Sequence, residues 1–166
     1  LAIKMNVLGL ALGQYFKKED HVGLLLPNTV ANVVSYFACI NEGAVPAMLN
    51  YTAGESNILS ALKTAQIKTV ITSRAFIEKA SLESIVNIID QNTNHLIYLE
   101  DLASKITFKH KIKGAFNALT WPLRQQNNDP NKPALILFTS GSEGTPKGVV
   151  LSHKNIMANV RQLGEV

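Results

Sequence analysis

Residues 134–153 read ALILFTSGSEGTPKGVVLSH, and the middle ten hold the side chains best suited to grip an anion. Thr139, Ser140, Gly141, Ser142, Glu143, Gly144, Thr145, Pro146, Lys147 and Gly148 comprise three glycines, four hydroxyl side chains and one lysine. Glycine lets backbone N–H groups approach a charged oxygen, hydroxyls add short donors, and the lysine supplies charge. The chemistry that follows is polyphosphate binding. Apolar runs flank the stretch on both sides, Ala134 to Phe138 and Val149 to Leu151, so it reads as a loop between two strands. Two other nucleotide signatures fail on spacing. Counted from Gly141, a Walker A loop meets Pro146 at its second glycine and Gly148 at its Ser/Thr. Gly141, Gly144 and Gly148 do not fall at G-x-G-x-x-G.

Other residues with chemical potential read as structural. Ser152 precedes a helical pattern of Ile156, Val160 and Leu163 and suits an N-cap, with His153 opening the first turn. Cys39 lies beside the apolar stripe of a helix and reads as core. As the only cysteine it excludes an intrachain disulfide and a cysteine metal site, so a reducing compartment suits the chain. Glu100 and Asp101 follow a strand and read as shaping a turn.

The elements that must position the loop alternate. His21 to Leu26 reads as a buried strand closed by Pro27 and Asn28. Val30, Val33, Val34 and Phe37 form a helical stripe that Gly43 ends. Ala44 to Leu49 is the next strand. Thr52 and Glu55 have capping-box spacing before Ile58, Leu59, Leu62 and Ala65. Lys68 to Thr72 is a β-branched strand, a helix is expected from about Arg74 to Asp90, and Leu96 to Leu99 is a fourth strand. This alternation over residues 21–102 predicts an α/β fold, a mostly parallel sheet flanked by helices.

Residues 104–133 break the pattern. Ser104 to Gln126 carries Lys105, Lys109, Lys111, Lys113 and Arg124 with no acid, interleaved with Ile106, Phe108, Ile112, Phe116, Leu119 and Trp121. A basic, aromatic surface for an anionic membrane or an acidic partner is one reading. The bland reading, preferred here, packs the apolar side chains on the sheet, with Trp121 as an anchor, and leaves the lysines in water. Asn127 to Pro133 is a linker, and residues 134–152 form the strand–loop–strand unit. With 46% hydrophobic and 17% charged residues the chain is too apolar for disorder. Its longest apolar runs are too short to span a bilayer. A net charge of +4 is too mild to argue for nucleic acid.

Thr139 to Gly148 resembles the phosphate-binding signature of the adenylate-forming (AMP-binding) superfamily, which includes acyl-CoA synthetases, nonribosomal-peptide adenylation domains and luciferases. His21 to Asn28 and Asn41 to Leu49 are similar to strands in the N-terminal part of such enzymes. PAMLNYTAG (Pro46 to Gly54), IKTVITSR (Ile67 to Arg74) and YLEDL (Tyr98 to Leu102) further resemble bacterial bifunctional enzymes. Those join an acyl-[acyl-carrier-protein] synthetase half to a 2-acylglycerophosphoethanolamine acyltransferase half at the inner membrane.

The resemblance implies that residues 1–166 form part of an acyl-adenylating domain. It implies ATP and Mg²⁺ as cofactors, a fatty acid as substrate, and transfer through acyl-AMP to a carrier thiol, acyl-carrier protein or CoA, with lysophospholipid as the final acceptor. Thr139, Ser140, Gly141, Ser142, Gly144, Thr145 and Lys147 are then the residues around the ATP phosphates, and Glu143 points to solvent at the loop tip. The family's Tyr-Gly-x-Thr-Glu block, its later ribose-binding Asp and its C-terminal catalytic Lys have no counterpart here, and no His is followed five positions on by Asp. No catalytic residue and no metal ligand is therefore expected in this chain, which also begins and ends inside helical patterns. It reads as a fragment, inactive alone, of an acid–thiol ligase. Two other readings stay open, a fragment of a fatty acyl-CoA synthetase and a non-catalytic nucleotide-binding α/β module. The expected location is the cytoplasm or the cytoplasmic face of a bacterial inner membrane, and membrane association of the parent stays open.

Overall fold

The computed structural model describes residues 1–124, 129–139 and 146–164, with residues 121–124 described by backbone alone. The chain runs α1 (Ala2–Leu12), β1 (His21–Leu24), α2 (Val30–Asn41), β2 (Val45–Met48), a 3₁₀ turn (Tyr51–Ala53), α3 (Glu55–Thr64) and β3 (Thr69–Thr72). It continues through α4 (Arg74–Ala80), α5 (Glu83–Asn92), β4 (His95–Tyr98), α6 (Leu99–Lys105), α7 (Phe108–Arg124), β5 (Pro133–Thr139), β6 (Lys147–Ser152) and α8 (His153–Gly164). Six strands form one sheet in the order β4-β3-β1-β2-β5-β6. Every pairing is parallel except β5 with β6, which is antiparallel. The expected mostly parallel α/β sheet is what forms.

Helices cover both faces, as a parallel sheet requires. On one face Ile58, Ala61 and Leu62 of α3, Ile77 of α4 and Ile85 and Ile89 of α5 close over Val45, Ala47, Val70 and Ile136. On the other, Leu12 of α1, Ala38 and Cys39 of α2 and Leu102 of α6 close over Val22, Leu24, Ile71 and Ile97. Val22, Val70 and Ile71 have no exposed surface, the burial expected of central strands. Cys39 is core, as read from the sequence.

Four local expectations change. The Thr52–Glu55 capping box does not form. Asn50 Oδ1 instead accepts from the Thr52 amide at 3.0 Å and the Thr52 hydroxyl at 2.8 Å, an Asx turn that takes Thr52 away from the helix. Gly54, at φ +85°, then enters α3 without a side-chain cap. The long helix from Arg74 is two helices. Ser81 is left-handed at φ 52°, and the Leu82 amide donates to the Ile77 carbonyl at 3.0 Å, closing α4 and turning Leu82 inward.

The helical faces are also rotated from the sequence reading. In α2 the buried residues are Val34, Ser35, Ala38 and Cys39, while Val30 and Val33 are exposed. Small side chains let this helix sit close to its neighbours. Gly43, at φ +84°, ends the turn after it as expected.

The largest change is α7. It does not pack its apolar residues on the sheet but lies against α1. Gly114 is the close approach: a Cβ there would collide with the Val7 side chain and stand 2.9 Å from the Val7 backbone nitrogen. Asn117, one turn on, is buried, whereas Phe108, Ile112, Phe116 and Leu119 are exposed. A helix pressed onto another helix through glycine must turn its bulky side chains elsewhere. The side chain of Trp121 lies outside the described residues. No helix among the described residues is long and apolar enough to cross a membrane.

Candidate functional site

Three parallel strands, β1, β2 and β5, end on the same edge of the sheet. In open α/β sheets this carboxyl edge is where loops gather and ligands bind. Ala47 pairs with Ile136 and Met48 with Leu137, so the chain leaves β2 toward Asn50 beside the point where β5 leaves toward Thr139. The Asx turn and the first turns of α3 follow β2 directly, and they form one wall of a cavity.

That cavity has a volume of about 200 Å³ and is lined by Asn50, Ala53, Asn57, Ile58, Ala61, Phe138, Thr139 and Pro146. Its floor is apolar, from Ile58, Ala61 and Phe138. Its rim is polar, from Asn50, Asn57 and Thr139. Asn57 Nδ2 donates to the Ala53 carbonyl at 2.6 Å, which fixes its carboxamide against the turn. Pro146 restricts the backbone where the loop returns to β6.

The loop itself joins antiparallel strands. Phe138 pairs with Gly148 and Thr139 with Lys147, so the Thr139 hydroxyl and the Lys147 ammonium group belong to facing residues at its base. Both residues are exposed. Strands β5 and β6 thus flank the stretch on its two sides. Ser140, Gly141, Ser142, Glu143, Gly144 and Thr145 lie outside the described residues. Of the seven residues expected around phosphate, the structure brings together Thr139 and Lys147 and describes no other.

Asn50 and Asn57 were not foreseen as rim residues. Their signal was present only locally, as the Asn-Tyr-Thr-Ala-Gly turn. Nothing nearby in sequence connects them with Thr139, because the pairing of β2 with β5 does so.

The other residues weighed in the sequence make local contacts within the fold. Ser152 and Asn155 cap α8 reciprocally, the Asn155 amide donating to Ser152 Oγ at 3.2 Å and the Ser152 amide to Asn155 Oδ1 at 3.0 Å. The His153 amide donates to the Lys132 carbonyl at 3.3 Å. Glu100 and Asp101 sit in the first turn of α6 and tie down α4: Ser73 Oγ donates to Glu100 at 2.7 Å, and Arg74 pairs with Asp101 at 2.6 Å. Among the described residues no group of three or more His, Cys, Asp or Glu side chains comes together to hold a metal.

A family model described as "AMP-binding enzyme" matches residues 6–166. A long-chain-fatty-acid–CoA ligase from Bacillus subtilis is 28% identical over 163 residues, covering 86% of this chain and 29% of that protein. A medium-chain fatty-acid–CoA ligase from Escherichia coli is 28% identical over 155 residues, covering 90% of this chain and 27% of that protein. The chain therefore spans less than a third of the length of these relatives. Among solved structures, ATP-bound MatB from Rhodopseudomonas palustris superposes with a TM-score of 0.71 at 22% identity, covering 99% of this chain and 31% of that one. The N-terminal domain of FACL13 from Mycobacterium tuberculosis superposes with a TM-score of 0.69 at 21% identity, covering 94% of this chain and 37% of that one.

Proposed function

The chain belongs to the family of AMP-binding enzymes, and from that premise we propose that it supplies the phosphate-gripping part of an ATP-dependent fatty-acid ligase. The observation that carries the reading is the facing pair Thr139 and Lys147 at the base of a Gly- and hydroxyl-rich loop, beside a polar-rimmed cavity at the carboxyl edge of the sheet. In this reading Ser140, Gly141, Ser142, Gly144 and Thr145 complete the grip around the β- and γ-phosphates.

The reaction has two displacements. A fatty-acid carboxylate oxygen bonds to the α-phosphorus of ATP, and the bond from that phosphorus to the bridging oxygen breaks, releasing pyrophosphate. A thiol, giving up its proton to solvent, then bonds through sulfur to the acyl carbon, the bond from that carbon to the phosphate-bound oxygen breaks, and AMP leaves with the former carboxylate oxygen. The chain's own share is positioning. Thr139 donates a hydrogen bond from one strand end, Lys147 places positive charge at the other, and Pro146 limits the loop's freedom. Donors fixed before the reaction hold the polyphosphate in line and spend no free energy on reorganisation during it. Mg²⁺ offsets phosphate charge when bound. No carboxylate lines the cavity among the described residues, and no step is assigned to the metal.

The thiol acceptor is acyl-carrier protein, with lysophospholipid reacylation as the outcome, in a bifunctional parent of the kind that the blocks at Pro46, Ile67 and Tyr98 resemble. The location is then the cytoplasm or the cytoplasmic face of a bacterial inner membrane. A second reading has CoA as the acceptor, and the similarity to two fatty-acid–CoA ligases supports it equally. The full product of the gene, given ATP, a labelled fatty acid and either thiol, separates the two by which thioester accumulates. Absence of fatty-acid-dependent exchange of pyrophosphate into ATP overturns both and leaves a nucleotide-binding module without catalysis.

A further inference from the structure

The side of α7 turned away from α1 is built like a surface-lying amphipathic helix. Phe108, Ile112, Phe116 and Leu119 are 75%, 57%, 65% and 81% exposed. At about 3.6 residues per turn these four fall within an arc of about 80° and run along about 17 Å of the helix. Gly114 and Asn117, the buried residues, lie on the opposite side. Lys109 and Lys113 border one edge of the stripe and Lys111 the other, and Lys105 stands just before the helix. No acidic residue occurs anywhere from Ser104 to Gln126.

We infer that this face docks on an anionic lipid surface. The charge is complementary on both flanks, and the stripe is a convex ridge of the kind that enters the boundary between headgroups and acyl chains. Lysine stems lie along apolar surface while their ammonium groups reach outward, which suits phosphate groups on either side of the ridge. A protein partner would need a groove of matching length lined with acids on both walls, whereas an anionic membrane presents that arrangement everywhere. Because α7 is held by α1 through its other side, the stripe meets the lipid with the helix axis parallel to the surface. The inference rests on α7 alone and not on the ligase reading.

The test is co-sedimentation of the full gene product with vesicles, either of phosphatidylglycerol and phosphatidylcholine in equal parts or of phosphatidylcholine alone. Strong binding to the first, at least tenfold weaker binding to the second, and at least tenfold loss in Phe116→Glu/Leu119→Glu are expected. Lys109→Gln/Lys111→Gln/Lys113→Gln should lose binding to the anionic vesicles while its circular dichroism stays that of the wild type. Equal binding to both vesicles, or unchanged binding by both variants, overturns the inference. Phe116→Cys gives a second readout, its labelling followed in the peptide that carries residue 116, since Cys39 is buried. Its thiol should react with a maleimide in the free protein and become protected by anionic vesicles. Protection without vesicles, from a second copy or another part of the same product, equally overturns it.

Discussion

Glu100 shows how much a single acid organises beyond its own turn. Partial burial pushes its carboxyl up, but hydrogen bonds from Ser73 and from its own, the Arg74 and the Ala75 amides outweigh that and hold it below the usual carboxylate value. A group depressed in the folded state stabilises at neutral pH, and that contribution disappears as pH falls through its folded value. Glu100→Ala should therefore cost up to about 1 kcal/mol near neutral pH, a cap-sized loss in an exposed setting. In urea titrations the difference from the wild type should shrink as the pH falls below the usual glutamate range. Cys39 behaves oppositely. Burial, helped by Glu42, pushes its thiol up to about 12. Its alkylation in the native protein should be at least about a hundredfold slower than in urea, since the thiolate is the reactive form. A rate in the native protein close to that in urea would show that α2 does not seat where it is described. At this scale the sequence was legible for Thr139 and Lys147, whose loop composition speaks for itself. It was silent on Asn50 and Asn57, which stand about eighty to ninety residues away and join the rim through the pairing of β2 with β5.

Helices, more than strands, separated expectation from structure. Strands β1 to β4 were legible because continuous apolar runs bounded by turn residues have few alternative uses in a chain of this kind. Helical faces were not, because periodicity reveals which side is apolar and not which side is covered. Val30 and Val33 of α2 stay outside while Ser35, Ala38 and Cys39 go in, and α7 inverts altogether. The helix break at Ser81 was hidden for a related reason, since a left-handed serine carries no glycine to mark it. Two substitutions probe this scale. Gly114→Val should collide with Val7 and loosen α7 from α1, costing about 1–3 kcal/mol as overpacking does. Hydrogen exchange should then rise in the α7 amides and not in the sheet. Asn50→Ala removes the acceptor for both Thr52 bonds, with an expected cost of about 1 kcal/mol, read as a lower midpoint in thermal melts.

As a whole molecule the chain is a sheet between two helical layers, with α7 stacked outside α1. The turn after β2 and the end of β5 meet at the carboxyl end of the parallel strands. The parallel order makes the functional reading coherent: β2 and β5 are neighbours in space although α3 to α7 intervene in sequence. The antiparallel return of β6 faces Lys147 toward Thr139. The measurement that bears most directly on this arrangement is fatty-acid-dependent exchange of labelled pyrophosphate into ATP by the full gene product. A folded Thr139→Ala/Thr145→Ala double variant should slow exchange by well over tenfold, the scale on which positioned donors act on a charged transition state. Wild-type exchange in that variant, with its melting curve unchanged, would contradict the assignment of the loop to phosphate.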